Sequence, residues 1–172
     1  RLLLSCDYAQ IELRIAAALA KDKALLKAFA DGQDIHKTTA AAMWGVPLAE
    51  VTADQRRAAK TVNFGVLYGQ GAFGLAAGSG VSLAEAREFI DRYFTAYKDL
   101  RGYFEATKAF ARAHGYVETV FDRRRPIPEL LSPNAAIRAR AERMAINMPI
   151  QGAEADVLKL AMIALAERLP QW

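Results

Sequence analysis

The sequence has little that would mark a secreted or membrane protein. A single cysteine, Cys6, occurs among the 172 residues, so no disulfide can form within the chain and a reducing compartment is expected. No apolar run approaches the ~18 residues that a transmembrane helix needs. The sequence also lacks a P-loop, internal repeats and low-complexity linkers. Without a disulfide partner, Cys6 is predicted to be a small buried apolar group.

The composition is that of a globular, helix-favouring chain with excess positive charge. Hydrophobic residues make up 53% of the chain and charged residues 24%, and alanine accounts for much of the apolar share. Lysine and arginine (23) exceed aspartate and glutamate (19), which gives a net charge of +4 and a pI near 9.3. This balance suits a polyanionic partner. Ribosomal and membrane-surface proteins have similar charge, so composition alone leaves the partner open.

Hydrophobic periodicity predicts an α+β fold that is mainly α. Helical spacing occurs at 11–19 (through Ile11, Ile15, Ala18 and Leu19), 24–29, 36–44, 55–69, 82–94, 100–114, 135–147 and in a last helix with a buried stripe of Leu158, Met162, Leu165 and Leu169. Leu2–Cys6 is predicted to be a short buried strand, and 117–125 a hairpin that turns at Asp122. Pro149 should separate the last two helices, and the glycine-rich segment 69–82 should be irregular or weakly helical.

The segment Gln55–Gly69 sorts its chemistry by face if it is a helix. Each step of four residues rotates by only ~40°, so one stripe contains Arg56, Lys60, Phe64 and Tyr68. The opposite side is small and apolar and suits packing, with Ala58, Val62, Gly65 and Val66. Cations that bind phosphate, followed by rings that stack on a base, suit a nucleoside triphosphate. A surface helix with a basic edge fits the same residues, so both interpretations stay open.

Two carboxylates near the start of the chain differ in what they can do. Asp7 lies between the predicted strand and the first helix, where it can ligate a metal ion or cap the helix. Phosphoryl transfer with two Mg²⁺ ions would need a second carboxylate beside it. Glu12 does not suit that role, because five residues along a helix rotate it by ~140° from Asp7. Glu12 must therefore serve another purpose.

Several polar residues have a structural and a binding interpretation, and both stay open. His36 is either a phosphate donor or a core histidine. A contact to the phosphate backbone or a solvated surface position remains possible for each of the arginines Arg123–Arg125, Arg138, Arg140 and Arg143. A loop position or a minor-groove contact remains possible for Asn147 and Gln151. Gly69–Gly74 fits the dinucleotide pattern G-x-G-x-x-G, but its continuation is a poor helix former and no acidic strand end follows.

Long motifs of the chain resemble those of the family A DNA polymerases, the bacterial DNA polymerase I type. Residues 7–14 (DYAQIELR) resemble motif A, and residues 56–69 (RRAAKTVNFGVLYG) resemble motif B on the fingers helix of that family. The match continues through GYVET at 115–119, RRR at 123–125 and NMPIQG at 147–152. The motifs are long, are in the family's order and extend over essentially the whole chain.

The resemblance implies part of a right-hand polymerase, with fingers helices and part of the palm. Residues 1–15 would be a palm strand and the start of the motif A helix. Residues 16–115 would be the fingers subdomain. Residues 116–172 would return to the palm as a hairpin and helices.

The resemblance also implies roles for individual residues. Asp7 would be a catalytic carboxylate and a ligand of Mg²⁺, with two ions in the intact enzyme and Mn²⁺ as a substitute. The deoxynucleoside triphosphate would be bound by Gln10, Glu12, His36, Arg56, Lys60, Phe64 and Tyr68. DNA would be bound by Arg124, Arg143, Asn147 and Gln151, with Gln10 near the terminal base pair. In this family the residue at the position of Glu12, with the tyrosine of motif B, excludes a ribose 2′-hydroxyl.

The implied activity is template-directed DNA synthesis on a primer, as a segment of a longer polymerase with further palm, thumb and exonuclease-like regions. No membrane is implied, and the location would be the bacterial cytoplasm, in association with the nucleoid. The family's second catalytic carboxylate lies in a His-Asp-Glu motif, whereas the two histidines here precede Lys37 and Gly115. These 172 residues alone are therefore not expected to polymerise.

The chain departs from the family pattern at a few positions. Ala9 stands where serine is usual in motif A, and Asp122 where glycine is common before the arginines; neither removes a catalytic group. Two other functions stay open on the residues alone. One is a nucleotide-dependent oxidoreductase that uses Gly69–Gly74, and the other is a non-catalytic nucleic-acid-binding module, for which the net charge would suffice.

Overall fold

The computed structural model describes residue 3 and residues 5–169, and in them the chain is mainly helical, which confirms the predicted α+β class. The helices are α1 (Ile11–Ala20), α2 (Lys23–Ala30), α3 (Ile35–Trp44), α4 (Ala53–Leu67), α5 (Ala72–Ser79), α6 (Leu83–Ala96), α7 (Lys98–His114) and α8 (Ala135–Arg168). An antiparallel hairpin of β1 (Tyr116–Glu118) and β2 (Arg124–Pro126) connects α7 with α8. Short 3₁₀ turns occupy Leu48–Glu50 and Pro128–Leu131.

The first predicted strand is not present in its described part. Leu3, Ser5 and Cys6 have no regular structure and are exposed, while Leu2 and Leu4 lie outside the described residues. The prediction that Cys6 is buried is wrong. A single strand needs a neighbour for its backbone groups, and the one described sheet contains only β1 and β2.

Local capping signals account for most helix boundaries. Thr52 and Ser82 each form a capping box with the residue three positions on, Gln55 and Glu85, and so start α4 and α6. A buried carboxylate, Asp22, caps two helices at once: Oδ1 accepts from the first turn of α2, and Oδ2 from the backbone of Asp99 and Leu100 in α7. Asp22 therefore joins the start of α2 to the start of α7.

The larger hydrophobic cluster packs α1–α7 against the middle of α8. Its fully buried larger side chains include Leu13, Leu25, Ile35, Met43, Leu67, Leu75, Tyr93, Leu100 and Ile150. The buried face of α1 is Leu13, Ala16 and Ala17. The buried face of α1 predicted from the sequence is rotated relative to the observed one. Of the residues predicted to be buried, Ala18 is exposed, and Ile11, Ile15 and Leu19 are only half-buried.

A smaller cluster joins the hairpin to α7 and α8. Its buried residues are Ala111, Val117, Ile127, Leu130, Ala141, Ala145 and Met148. The hairpin turns through Asp122, which has a left-handed φ of 60°. Arg123 forms an ion pair with Asp156 of α8, and Gly152 allows close contact, because an added Cβ there would lie 2.5 Å from Thr119 Cγ2. The hairpin is thus anchored on one face of α8.

Helix α8 differs from the prediction in two ways. It runs unbroken through Pro149, although proline removes a helical N–H and normally costs about 3 kcal/mol. Buried residues on both sides of the proline, Ala145 and Ala153 among them, pack both halves and offset that loss. The predicted buried stripe is wrong: Leu158, Met162, Leu165 and Leu169 are all exposed, because the described residues supply no element that covers them.

The glycine-rich segment is more regular than predicted. Residues Ala72–Ser79 form α5, with Gly71 as its N-cap and Gly80 in the left-handed conformation that ends it. Leu75 is its buried residue, and α5 packs against α4 and α6. Tertiary packing therefore outweighs the low helix propensity of Gly74 and Gly78.

Candidate functional site

The predicted sorting of side chains on α4 is confirmed. Val62, Gly65 and Val66 are buried against the larger cluster, and Ala58 is half-buried. On the other side Arg56 and Lys60 are exposed, and Phe64 and Tyr68 are half-buried. Phe64 and Tyr68 are nearly parallel, with ring centroids 6.4 Å apart. Helix α4 therefore presents two cations and then two aromatic rings on one surface.

Glu12 closes one end of this surface. The hydroxyl of Tyr68, at the end of α4, donates a 2.6 Å hydrogen bond to Glu12 Oε2, at the start of α1. Burial and the Glu12 carboxylate raise the pKa of Tyr68 to about 12, and the charge of Glu154 adds to the effect. The phenol therefore remains a hydrogen-bond donor at neutral pH.

His36 borders the same surface from α3. It is only 3% exposed, and its ring centroid lies 5.9 Å from that of Phe64. Its Nδ1 is 3.0 Å from Nδ2 of Asn63, a fully buried residue on α4. Burial lowers the pKa of His36, and the charges of Arg56 and Lys60 act in the same direction against that of Asp34. His36 is thus a core histidine that also borders the exposed surface, and the imidazole is neutral at pH 7.

The two cations of α4 are held differently. Arg56 Nε donates a 2.6 Å hydrogen bond to Asp34 Oδ2, whose other oxygen caps α3 through the Lys37 amide. Burial alone would raise the pKa of Asp34, but the hydrogen bonds from Arg56 and from the Lys37 amide lower this pKa below its usual value. Lys60 is exposed and forms no salt bridge within the described part of the chain. We call Arg56, Lys60, Phe64 and Tyr68, with His36 and Glu12, the α4 face.

Asp7 lies in a separate groove between the start of the chain and the end of α8. This Asp7 groove is lined by Cys6, Asp7, Tyr8, Ile11, Glu154, Leu158, Ala161, Met162, Ala164, Leu165 and Arg168. Asp7 is exposed and does not cap α1, whose N-cap is Gln10 in a left-handed conformation, without a side-chain cap. The capping interpretation of Asp7 is therefore wrong.

The residues around Asp7 fit a divalent cation only in part. An exposed carboxylate oxygen suits Mg²⁺, which prefers hard oxygen ligands and often has one or two protein carboxylates besides substrate phosphates. The described residues contain no group of three His, Cys, Asp or Glu side chains that could hold an ion. A complete site at Asp7 would thus need ligands from elsewhere.

Arg143, one of the predicted DNA-binding residues of α8, lies beside the turn that follows Tyr68. Arg143 is exposed and passes over Gly69, where an added Cβ would be 3.1 Å from Arg143 Cγ and where φ is +69°. Glycine is therefore required at that turn. Asn147 has a buried Oδ1 without a partner, and Gln151 is exposed and close enough to Tyr68 to act on the pKa of its hydroxyl.

Arg124 is placed apart from these residues, on the hairpin. Its Nε donates to Glu118 Oε2 at 2.9 Å, and its guanidinium lies 4.8 Å from the centre of the Tyr116 ring. The side chain remains mostly exposed. Arg124 is thus held in place while its charge stays accessible.

Sequence reasoning missed two residues beside the α4 face. Glu154 shares a turn of α8 with Gln151, and burial and the neighbouring Glu12 raise the pKa of its carboxyl group. The three-residue spacing from Gln151 was the signal available for it. Asn63 lies between Lys60 and Phe64 in sequence but points into the core, and a buried amide gives no signal in hydrophobic periodicity.

The dinucleotide interpretation of Gly69–Gly74 is contradicted. A fingerprint of that kind follows a strand, whereas Gly69 follows α4. The oxidoreductase alternative that rested on it falls with it. No described helix is long and apolar enough to cross a membrane.

The fold is a mainly helical segment of the polymerase type in which one face of α4 exposes two cations and two aromatic rings. The model of DNA polymerase family A matches residues 1–172, and the chain belongs to that family. DNA polymerase I of Pseudomonas aeruginosa is 54% identical over 163 residues, which are 95% of this chain and 18% of that protein. The thermostable DNA polymerase I of Thermus aquaticus is 48% identical over 170 residues, 99% of this chain and 20% of that protein.

A solved structure shows the same fold. It is the POL domain of Pol1 from M. smegmatis in complex with DNA primer-template and dNTP, with a TM-score of 0.90 and 42% identity over 96% of this chain and 29% of that one. The chain spans about a fifth of the length of the curated relatives that it matches.

Proposed function

We propose that this chain is the nucleotide-binding segment of a DNA polymerase that adds deoxynucleotides to a primer 3′ end on a template. The observation that carries the proposal is the α4 face, in which two cations and two stacked rings lead to the 2.6 Å hydrogen bond between Tyr68 and Glu12. Arg56, Lys60 and His36 would bind the triphosphate, and Phe64 would lie against the sugar and base. Gln10 would lie beside the nucleotide at the start of α1.

The Tyr68–Glu12 pair would lie beneath the sugar of the bound nucleotide. The hydrogen bond fixes both side chains, which leaves little room for an added 2′-hydroxyl. Arg143, Asn147 and Gln151 would contact primer and template near the terminal pair, and Arg124 would contact the backbone from the hairpin. Minor-groove acceptors vary little between base pairs, so such contacts would test pair shape rather than sequence.

Asp7 would be a catalytic carboxylate and one ligand of Mg²⁺, or of Mn²⁺ in its place. When bound, the metal would neutralise charge on the phosphates as the primer oxygen attacks. Asp7 is exposed in its groove and so is accessible to such an ion. The second carboxylate would come from another part of the polymerase.

The rest of the polymerase would also cover surfaces that are exposed here. We assign 1–15 and 116–172 to the palm and 16–115 to the fingers, since the hairpin that begins at Tyr116 packs in the separate, smaller hydrophobic cluster. The exposed leucines of α8 would pack against further palm, with thumb and exonuclease-like regions beyond. Work on chromosomal DNA would place the enzyme in the bacterial cytoplasm, at the nucleoid.

A chimera tests this proposal, in which the chain replaces the matching segment of the Pseudomonas aeruginosa DNA polymerase I. We expect Mg²⁺-dependent primer extension, and a KM for dNTP raised roughly 10- to 100-fold by Lys60→Ala, the range for a lost charged hydrogen bond. Arg57→Ala is the matched control, since Arg57 lies on the same helix but pairs with Asp54. Equal effects of the two variants would contradict the proposal.

The 172-residue chain by itself gives the complementary test. We expect no primer extension from it, because the described residues include no complete group of metal ligands around Asp7. Mg²⁺-dependent extension by the purified chain would refute this expectation.

A further inference from the structure

His36 ends a line of buried hydrogen bonds that joins α3, α4 and the junction between α6 and α7. Asn63 Nδ2 lies 3.0 Å from His36 Nδ1, Thr39 Oγ1 is 3.1 Å from Asn63 Oδ1, and Tyr97 Oη is 3.0 Å from Thr39 Oγ1. Each of the four residues is at most 3% exposed. Tyr97 lies between α6 and α7, so the line connects the α4 face to the interior of the larger cluster.

The donors in this line follow from the orientation of the Asn63 amide. Its oxygen accepts from Thr39, which has a single hydroxyl proton, so Tyr97 must donate to Thr39. Its nitrogen can only donate, so His36 Nδ1 must be the unprotonated acceptor. A neutral imidazole in this position has its proton on Nε2. A reversed amide would reverse every donor, which makes the tautomer of His36 a direct test.

The other ring nitrogen of His36 is not sealed in the core. Among the described residues, the only buried side-chain nitrogen or oxygen atoms without a partner are Tyr93 Oη and Asn147 Oδ1. Nε2 has no protein partner and is not one of these atoms, so it reaches solvent beside Phe64. The charged groups that act on the ring are Asp34 on α3 and Arg56 and Lys60 on α4. With two cations already present, a third positive charge there is unfavourable.

We propose that Asn63, Thr39 and Tyr97 are positioning residues that hold His36 as the neutral Nε2–H tautomer, aimed outward as a donor to a phosphate oxygen of the nucleotide. The phosphate contact rests on the proposed function, whereas the tautomer is a property of the folded chain. A neutral donor adds a hydrogen bond without taking up a proton when the nucleotide binds. Binding then does not depend on titration of His36 near neutral pH.

The tautomer is measured by ¹⁵N NMR of the histidine-labelled chain. There are only two histidines, and the second is an internal reference: His114 Nδ1 lies 2.9 Å from the Phe110 carbonyl oxygen, which can only accept. We expect an unprotonated Nδ1 in His36 and a protonated Nδ1 in His114. A protonated Nδ1 in His36 would overturn the inference.

Two near-isosteric variants separate positioning from packing. Asn63→Asp places an acceptor opposite Nδ1, so Nδ1 should become protonated and the pKa of His36 should rise above its usual 6.5. Thr39→Val removes the hydrogen bond that orients the Asn63 amide, so both tautomers of His36 should appear. Thr38→Val is the control, since its hydroxyl bonds only to Gln33 and the Asp34 backbone. An unchanged His36 tautomer in both test variants would mean a packing role only, and would overturn the proposal.

The chimera tests the phosphate contact separately. His36→Ala should raise the KM for dNTP about tenfold, and His36→Gln, which retains a donor at a similar position, should recover part of it. In Asn63→Asp, KM should fall as the pH drops through the raised pKa of His36, whereas the unsubstituted chimera should show no such step. An unchanged KM in His36→Ala would refute the phosphate contact. An inactive chimera whose chain has the expected tautomer would refute the proposed function instead.

Discussion

The α4 face and the Asp7 groove differ in how far the described residues determine them. On the α4 face, Arg56 bonds to Asp34, His36 to Asn63, and Tyr68 to Glu12. In the Asp7 groove, Asp7 is exposed on an irregular segment and lies opposite exposed leucine and methionine side chains of α8. The geometry of the proposed nucleotide-binding face is therefore encoded within the segment, whereas the position of Asp7, the proposed catalytic carboxylate, depends on contacts that the described residues do not supply.

The largest effect should come from removing the Asp7 carboxylate, because its proposed role is in the reaction and its exposed side chain does not support the fold. In the chimera, Asp7→Asn should lower kcat by about a thousandfold or more, since charge stabilisation by a bound metal contributes several kcal/mol. The unfolding free energy of the chain should hardly change, because the side chain is exposed. Primer-extension kinetics and chemical denaturation measure the two effects. Asp31→Asn, at an exposed ion pair, is the control.

The next largest effect should be on folding stability, through Asp22, which caps α2 and α7. Asp22→Ala removes the caps of both α2 and α7, and should reduce the unfolding free energy by about 2 kcal/mol or more, at up to about 2 kcal/mol for each cap. Asp91→Ala, at an exposed position of α6, should cost little. Urea denaturation of the chain compares the two, and equal midpoints would show that Asp22 does not join these helices energetically.

The α4 face was easier to predict from sequence than the Asp7 groove, because local sequence signals determine the first and distant contacts determine the second. The α4 stripe, the start of α6 near Ser82 and the end of α7 near His114 follow from local signals, and the structure confirms them. Burial of Cys6 and of the stripe at Leu158 required neighbours that periodicity cannot supply, and both predictions are wrong. The predicted helix break at Pro149 is wrong, because packing on both sides of the proline outweighs one lost hydrogen bond. Asn63 was missed since its partners, His36 and Thr39, are distant in sequence.

A smaller, selective effect should follow from shortening Glu12. In the chimera, Glu12→Ala should increase the kcat/KM for ribonucleotides relative to deoxynucleotides by roughly 10- to 100-fold, the range for a few atoms in a shaped pocket. Glu12→Gln keeps the volume and an acceptor for Tyr68, so the change in this ratio should be smaller. Single-nucleotide incorporation with matched NTP and dNTP pairs measures it. A ratio that is the same for both variants would mean that side-chain volume at Glu12 does not set sugar selection.

The smallest effect connects the two regions through Glu154, which lines the Asp7 groove, lies beside Glu12 and raises the pKa of Tyr68 through its charge. The pKa of Tyr68 is about 12 in the folded chain against 10.0 for a free phenol, so its contribution to stability is present below pH 10 and is lost as the pH rises towards 12. Glu154→Gln removes one of the negative charges that raise this pKa, and should move the ultraviolet titration of Tyr68 to lower pH. Glu12 is the stronger influence, so Glu12→Gln should move it further, and Glu129→Gln should leave it in place. If Glu154→Gln leaves the titration where it is, the α4 face is independent of the groove, and the contrast between the two regions is sharper than the structure suggests.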